Sequence, residues 1–237
     1  MRVFKFIVLA IAGLGLVFAN TVAQAKTVKI EISSEEVVLQ VDNAGTKQKM
    51  WTFGGTIPGP LVRVTEGDVI DFVLTNGSKN KESHSIDFHA AVVDVLNEFG
   101  SIKPGETKKF QFQANHPGVF IYHCGSDAMV EHIARGMYGV IIVDPKGGYN
   151  ANYPKPDREY VLVQGDLFEE GATVKELLNG EKWKGAMING KVFHYDPVHD
   201  KNATKVLNSK PGELVRVFFV NANVHDPVAF HPIAGIW

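Results

Sequence analysis

The sequence predicts an all-β protein in which one β-domain occurs twice. Short runs of alternating or β-branched residues recur between Gly, Pro and Asn turn signals, a pattern typical of a sandwich or Greek-key barrel. One strand motif appears again in the C-terminal half of the chain. Two short segments, residues 128–135 and 173–179, have helical character.

Residues 1–25 have the pattern of a targeting segment. Arg2 and Lys5 give it a positive start, residues 6–19 are apolar but short for a membrane span, and residues 23–25 form an A-x-A cleavage site. We therefore predict a signal peptide over residues 1–25, an exported protein, and no membrane association after its removal. The two positive charges of this segment change the net charge of the remainder from −2 to −4, which argues against nucleic acid as a partner.

Eight segments of the first half have strand character, because they alternate or are rich in β-branched residues and end at turn signals. They are residues 27–32, 36–41, 47–53, 61–64, 69–76, 107–114, 118–124 and 137–143.

The repeat joins residues 66–76, EGDVIDFVLTN, to residues 211–221, PGELVRVFFVN. Both begin with Gly and an acidic residue, continue as an apolar strand and end at Asn. A histidine follows each copy at a similar distance, His84 in the first and His231 in the second. We infer that the two copies begin two related domains.

The predicted domains cover residues 26–148 and 155–237, with a Gly- and Pro-containing linker near residues 145–156. In the first domain the cysteine segment follows the histidine by 40 residues, whereas six residues follow His231 in the second. We therefore expect the second domain to be incomplete.

The only cysteine, Cys124, lies between His123 and the pair formed by His132 and Met137. A thiolate, an imidazole and a thioether from one loop are three of the four ligands of a blue-copper electron-transfer site. A single cysteine cannot form an internal disulfide. The pattern therefore predicts a metal-binding thiolate, with a buried free thiol as the alternative.

Strand parity sorts the candidate ligands into two sets, because successive side chains point to opposite faces. The set expected on the interior side contains His84, Cys124, His132 and Met137. The set expected on the other side contains Asp87, His89 and His123. The first matches a mononuclear copper site. The second could hold a copper with an open position for a small anion, with Asp87 as proton donor. Core and loop residues that bind nothing remain the alternative for each set.

The other histidines carry less information. His194, His199 and His225 lie in polar segments, and we expect them to be solvated. His231 lies in an apolar stretch, where a structural and a functional role both stay open.

Four segments closely resemble copper-containing nitrite reductases, a family with two cupredoxin domains. They are residues 52–60 (TFGGTIPGP), 84–91 (HSIDFHAA), 122–124 (YHC) and 132–139 (HIARGMYG). The resemblance implies tandem cupredoxin-like Greek-key β-sandwiches, the second incomplete in this chain.

The resemblance also implies residue roles. The implied type 1 copper ligands are His84, Cys124, His132 and Met137. The implied type 2 copper ligands are His89 and His123, with Asp87 and His231 as catalytic residues. His231 would assist proton delivery across a subunit interface rather than bind metal. The family is a homotrimer whose third type 2 histidine comes from a neighbour's second domain, and this ligand has no counterpart in the sequence.

The leading hypothesis is the reduction of nitrite to nitric oxide in the periplasm. A small donor protein, a cupredoxin or cytochrome c, would deliver an electron to the type 1 copper, and the electron would pass through Cys124 and His123 to the type 2 copper. The alternative is an electron-carrying cupredoxin or an inactive truncated remnant. A laccase-like multicopper oxidase is least favoured, because the chain has no His-x-His word.

Overall fold

The computed structural model describes residues 25–201, 203 and 207–231. Twelve strands and three short helices lie within these residues. In chain order they are β1 (Thr27–Gln40), β2 (Lys47–Phe53), β3 (Val62–Thr65), β4 (Val69–Asn76), β5 (Asp87–Phe88), α1 (Val95–Glu98), β6 (Thr107–Gln113), β7 (Gly118–His123), α2 (Met129–Ala134), β8 (Tyr138–Asp144), β9 (Arg158–Phe168), α3 (Val174–Leu178), β10 (Trp183–Ile188), β11 (Lys191–Val192) and β12 (Val215–Asn221). The all-β prediction is confirmed. Within the same residues, no helix combines the length and the apolar character that a membrane span requires.

Two four-stranded sheets form a sandwich in the first half of the chain. One has the strand order β2-β1-β4-β6 and the other β3-β8-β7-β5. The core between them is rich in aromatic side chains, and the ring centroid of Phe72 lies 5.0 Å from that of Phe88 and 5.1 Å from that of Phe110. Cys124 and Met137 lie in this same core, each fully buried.

The first strand is longer than the sequence indicates. Two strands were expected over residues 27–32 and 36–41, but β1 runs unbroken through the two serines between them. Its first half pairs in parallel with β4 and its second half pairs antiparallel with β2. Ser34 is buried at the change of partner, and its hydroxyl donates to Asn76 Oδ1 at 3.1 Å. This bond replaces the solvation that a turn would have provided.

A third sheet, with the order β11-β10-β9-β12, packs on the outer face of the sandwich. β8 is therefore buried on both faces. Ile141 and Val143 point into the core of the sandwich, whereas Tyr138, Val140 and Ile142 point into the core shared with the third sheet. The alternation follows the two-residue period of a strand.

The repeated motif occupies equivalent places in the two halves. Its first copy becomes β4, which pairs in parallel with β1, and its second copy becomes β12, which pairs in parallel with β9. Residues 145–157 connect β8 to β9 without a strand or helix of their own. The proposed domain boundaries stay a prediction.

Both predicted helical segments are helices. α2 follows the cysteine loop, and α3 begins after Thr173, whose side chain and Glu176 form a capping box. The two helices meet in a small apolar cluster that includes Ala134 of α2 and Leu177 of α3. α3 therefore supports the helix that carries His132.

Candidate metal centres

Three candidate ligands of the interior set converge on one point. The donor atoms of His84, Cys124 and His132 all lie within 4.8 Å of one another. His132 Nδ1 lies 3.2 Å from Cys124 Sγ and 3.2 Å from His84 Nδ1. All three residues are buried. The structure therefore brings a thiol and two imidazoles together away from solvent.

Backbone hydrogen bonds set this arrangement. Cys124 follows directly after β7, and its N–H donates to Met137 O at 3.1 Å. The Met137 N–H in turn donates to His132 O at 3.0 Å. His84 forms an isolated bridge with Ile102, through bonds of 3.1 and 2.9 Å. The predicted members of the set are thus held by neighbouring backbone segments, with the Met137 side chain buried in the same core.

The surroundings favour a thiolate at Cys124. Burial on its own raises the pKa of the thiol, but the hydrogen bond and charge of His132 and the Ser85 N–H lower it, so that the pKa lies below its ordinary value. The Ser85 N–H lies 3.3 Å from Sγ, and the Ser85 hydroxyl accepts from the Gly125 N–H at 2.9 Å. A thiolate is the form of cysteine that binds metal.

Burial has the opposite consequence for the imidazoles. It lowers the pKa of His84, while the nearby Glu36 carboxylate acts to raise it. Burial also lowers the pKa of His123, against a backbone hydrogen bond with Cys124 that raises it. Neutral imidazole is the metal-binding form. Burial thus favours the neutral form of His84 and of His123, which is the form that ligation requires.

An aromatic side chain covers the first cluster. The ring centroid of Trp51 lies 4.7 Å from that of His132 and 5.5 Å from that of His84. The Arg135 guanidinium lies 4.7 Å from the Trp51 ring centroid, in a cation–π contact. Trp51 and Arg135 also line a surface cavity of about 370 Å³.

The second set gathers on the opposite face of β7. Asp87, His89 and His123 form another group whose candidate ligand atoms lie within 4.8 Å of one another. Asp87 pairs with His123 between β5 and β7, and the His89 N–H donates to Ile121 O at 3.1 Å. The Nε2 atoms of the two histidines are 2.9 Å apart. His123 is buried, Asp87 is half-buried and His89 is exposed, so this cluster opens to the surface.

The tautomer of His123 follows from its other nitrogen. Nδ1 lies 3.1 Å from Cys124 O, and a carbonyl oxygen only accepts, so Nδ1 carries the hydrogen in the neutral ring. Nε2 is then left with a lone pair directed at His89 and Asp87. One residue pair therefore links both clusters, since Cys124 lies in the first and His123 in the second.

His231 lies apart from both clusters. It is exposed and lines a cavity of about 280 Å³ together with Tyr195, Phe219, Phe230 and neighbouring residues, none of which belongs to either cluster. Its catalytic role stays a prediction. Residues 232–237, which follow it, lie outside the described residues.

The prediction that His225 is solvated is wrong. His225 was expected to be solvated, but its side chain is only 13% exposed and its Nδ1 lies 3.1 Å from an oxygen of the buried Asp166. Asp166 also accepts from Trp183 Nε1 at 2.9 Å. His194 is half-buried, whereas His199 is exposed as predicted. The polar sequence around His225 gives no indication of its partner Asp166, which is 59 residues away.

Three residues near the first cluster were assigned no role by the sequence: Ser85, Trp51 and Glu36. Ser85 stands between two candidate site residues, which is a signal that the sequence offers. Trp51 and Glu36 face each other in the pairing of β1 with β2. Their approach to His84 depends on long-range sheet pairing, which no local pattern reveals.

Known proteins match this chain over most of its length. Residues 36–148 match the family model of multicopper oxidases. A copper-containing nitrite reductase of Neisseria meningitidis serogroup A is 33% identical over 219 residues, which are 89% of this chain and 54% of that protein. The chain spans about half the length of the curated relatives it matches first.

Solved structures agree. The copper nitrite reductase from Nitrosomonas europaea is 55% identical, with a TM-score of 0.78 over 82% of this chain and 67% of that one. A copper-containing nitrite reductase from Thermus scotoductus is 30% identical, with a TM-score of 0.68 over 84% of this chain and 44% of that one. Together with the two clusters on opposite faces of β7, these matches show that the chain belongs to the family of copper-containing nitrite reductases.

Proposed function

We propose that this chain provides the copper sites of an enzyme that reduces nitrite to nitric oxide. The observation that carries the proposal is the pair of clusters joined by one peptide bond, with Cys124 in one cluster and His123 in the other. Reduction of a small anion by a separate donor needs a place where the electron enters and a place where the anion reacts. Two adjoining clusters of different exposure supply both.

The donor atoms of the first cluster fit copper. Thiolate and imidazole ligands suit this metal, and a methionine thioether is the usual weak axial ligand. The Nδ1 atoms of His84 and His132 face each other at 3.2 Å, so in the tautomers with hydrogen on Nε2 both Nδ1 lone pairs point into the same small volume. We assign His84, Cys124, His132 and Met137 as the residues that would hold a type 1 copper.

The second cluster fits a copper that keeps a position for substrate. The facing Nε2 atoms of His89 and His123 are the two imidazole donors, and His89 lies at the surface where a small anion can arrive. We assign these histidines as the ligands of a type 2 copper. Asp87 shares their face of the strand and acts as the proton donor and hydrogen-bond partner of nitrite.

The reaction balances with one electron and two protons. Nitrite loses one oxygen as water when its N–O bond breaks, and nitric oxide remains. Copper, when bound, supplies the one-electron couple and a coordination position for the anion. A small donor protein, a cupredoxin or cytochrome c, supplies the electron, and the Cys124–His123 backbone is the covalent path between the clusters. Asp87 delivers a proton to the departing oxygen, and His231 assists proton delivery across a subunit interface.

We place this reaction in the periplasm and in a homotrimer. The signal-like pattern of residues 1–25 supports export. The exposure of His89 and the half-burial of Asp87 support closure of the second cluster by a neighbouring subunit, which would add the third histidine.

The test uses the copper-loaded protein with a reduced donor and nitrite in the absence of oxygen. We expect nitric oxide to form. In His89→Ala we expect the type 2 copper signal and nitric oxide formation to be lost while the thiolate-to-copper absorption band remains. His116→Ala, which changes a histidine outside both clusters, is the control. Wild-type protein that holds both coppers yet makes no nitric oxide would overturn the proposal.

An electron-carrying cupredoxin is the second candidate. It is favoured by the contrast between the first cluster, which has three buried donors, and the second, which has two imidazoles among the described residues. One copper per chain, with the thiolate band and no type 2 signal, would select this function instead.

A further inference from the structure

We propose that Glu36 is a positioning residue for His84, an assignment that rests on the proposed copper site. Its carboxylate lies 3.4 Å from Nε2 of His84, and its charge keeps the ring hydrogen on Nε2 and thereby directs the lone pair of Nδ1 toward the metal position. The two residues are 48 positions apart in the sequence and meet only because β1 runs beside the loop that follows β4.

The rear nitrogen of His84 faces a carboxylate. The His84 side chain is fully buried, and its Nε2 makes no hydrogen bond within the described part of the chain. Glu36 Oε1 lies 3.4 Å from Nε2, at the outer limit of a hydrogen bond. A buried imidazole N–H without an acceptor is costly, so this carboxylate is the group that can satisfy it.

The Glu36 carboxylate is itself held in place. Oε1 accepts from the backbone N–H groups of Lys81 and Glu82, each at 2.8 Å. The Glu36 N–H donates to Asn80 Oδ1 at 2.9 Å. Its side chain is 17% exposed. A carboxylate fixed by two backbone donors can orient a third group with little loss of side-chain entropy.

A buried amide network connects the backbone of Glu36 to the backbone of His84. The Asn80 amide donates to Ser34 O at 2.8 Å and to Asn76 Oδ1 at 2.6 Å. Asn76 donates to Ile102 O at 2.9 Å, and Ile102 is the backbone partner of His84. The network therefore fixes the backbone of His84 and the position of Glu36 relative to each other.

The consequence for His84 is chemical. A neutral imidazole carries one hydrogen, and an acceptor at Nε2 keeps it there, which leaves Nδ1 free to bind metal. Carboxylates behind metal-bound histidines orient the ring and raise its basicity. A more basic ligand stabilises the oxidised copper over the reduced one. Glu36 should therefore strengthen copper binding and lower the reduction potential of the first site.

The test compares Glu36→Gln and Glu36→Asp with the matched control Glu66→Gln. Gln keeps the side-chain length and an oxygen that can accept from the two backbone donors, but it removes the charge. Asp keeps the charge but is one methylene shorter, so its carboxylate lies farther from His84. Glu66 likewise accepts a backbone N–H, from Lys146 at 3.1 Å, and belongs to neither cluster. Copper affinity is measured by chelator competition, the reduction potential by redox titration, and the fold by melting temperature.

We expect Glu36→Gln to weaken copper binding at the first site about 10–100-fold. Its reduction potential should rise, and Glu36→Asp should move in the same direction. A purely structural role would lower the melting temperature and leave the potential of the bound copper unchanged. Wild-type affinity and potential in Glu36→Gln would overturn the assignment. If wild-type protein shows no thiolate-to-copper band, the proposed copper site itself fails, and the inference falls with it.

Discussion

Cys124 and His123 are neighbours in the chain, yet their side chains belong to different clusters. His123 ends β7 and Cys124 directly follows it; Cys124 lies in the core of the sandwich, whereas His123 lies with Asp87 and His89. The His123 Nδ1–H donates to Cys124 O at 3.1 Å. Two metal positions can therefore be joined by a single residue pair without sharing a ligand.

Cys124→Ser should abolish the thiolate-to-copper band, because serine has no sulfur atom and its hydroxyl stays protonated at neutral pH. The visible spectrum of copper-loaded protein measures this. Met137→Leu is the matched control: it keeps the volume of a buried side chain and the three donors of the first cluster, so we expect the band to remain. A band that persists in Cys124→Ser would contradict the assignment of the thiolate.

At the scale of single elements, α3 shows how a helix too short to be stable alone is retained. The Thr173 side chain accepts from the Glu176 N–H at 3.4 Å, and Glu176 accepts from the Thr173 N–H at 2.7 Å. Lys182 Nζ adds an ion pair with Glu176 at 2.8 Å. Buried Leu177 packs near Ala134, so these caps also support α2 and its histidine.

The Glu176 interactions predict a pH dependence. The hydrogen bond from Lys182, followed by those from Thr173, lowers the pKa of Glu176 from 4.5 to about 2. The unfolded chain therefore binds this proton at higher pH than the folded one, and the stabilisation is complete above pH 4.5 and lost as the pH falls toward 2. The melting-temperature difference between wild type and Glu176→Gln should be constant above pH 4.5 and shrink below it. A difference that grows on acidification would contradict this.

At the scale of the whole molecule, β8 joins the sandwich to the third sheet. Close approach across this contact requires a glycine, since a Cβ on Gly165 of β9 would lie 2.1 Å from Tyr138 Oη and 2.6 Å from Cζ. Tyr138 is fully buried and directly follows Met137. The contact between β8 and the third sheet thus involves Tyr138, which is adjacent to the proposed copper ligand Met137.

Gly165→Ala should destabilise the protein by about 1–3 kcal/mol, because the ring of Tyr138 must move within a packed core. Urea unfolding followed by far-UV circular dichroism measures the change. Gly147→Ala is the control: its added Cβ would meet nothing within 4 Å, and we expect a change within about 0.5 kcal/mol. Equal stability of the two variants would contradict the packing described for β8 and β9.

Much of the fold was predictable because strand signals are local. The alternation in residues 47–53 and 69–76 agrees with β2 and β4, and the repeat found in the sequence corresponds to β4 and β12. The length of β1 was not predictable. Its two serines are typical of a break between strands, but the Ser34 hydroxyl donates to Asn76, which is 42 residues away in the sequence. The burial of His225 was missed for the same reason, since Asp166 is remote in the sequence.

The residue types alone showed which donor atoms are available and that the adjacent side chains of His123 and Cys124 should face opposite ways. Residue type and the two-residue period of β-structure are local properties, so any extended conformation of this segment separates the side chains of His123 and Cys124. The surroundings of the donor atoms follow from tertiary contacts: the Trp51 ring packs on His132, the Ser85 N–H lies beside the thiol and the Glu36 carboxylate lies beside Nε2 of His84. These contacts depend on the register between strands distant in sequence, which is set by burial of whole faces rather than by any local pattern.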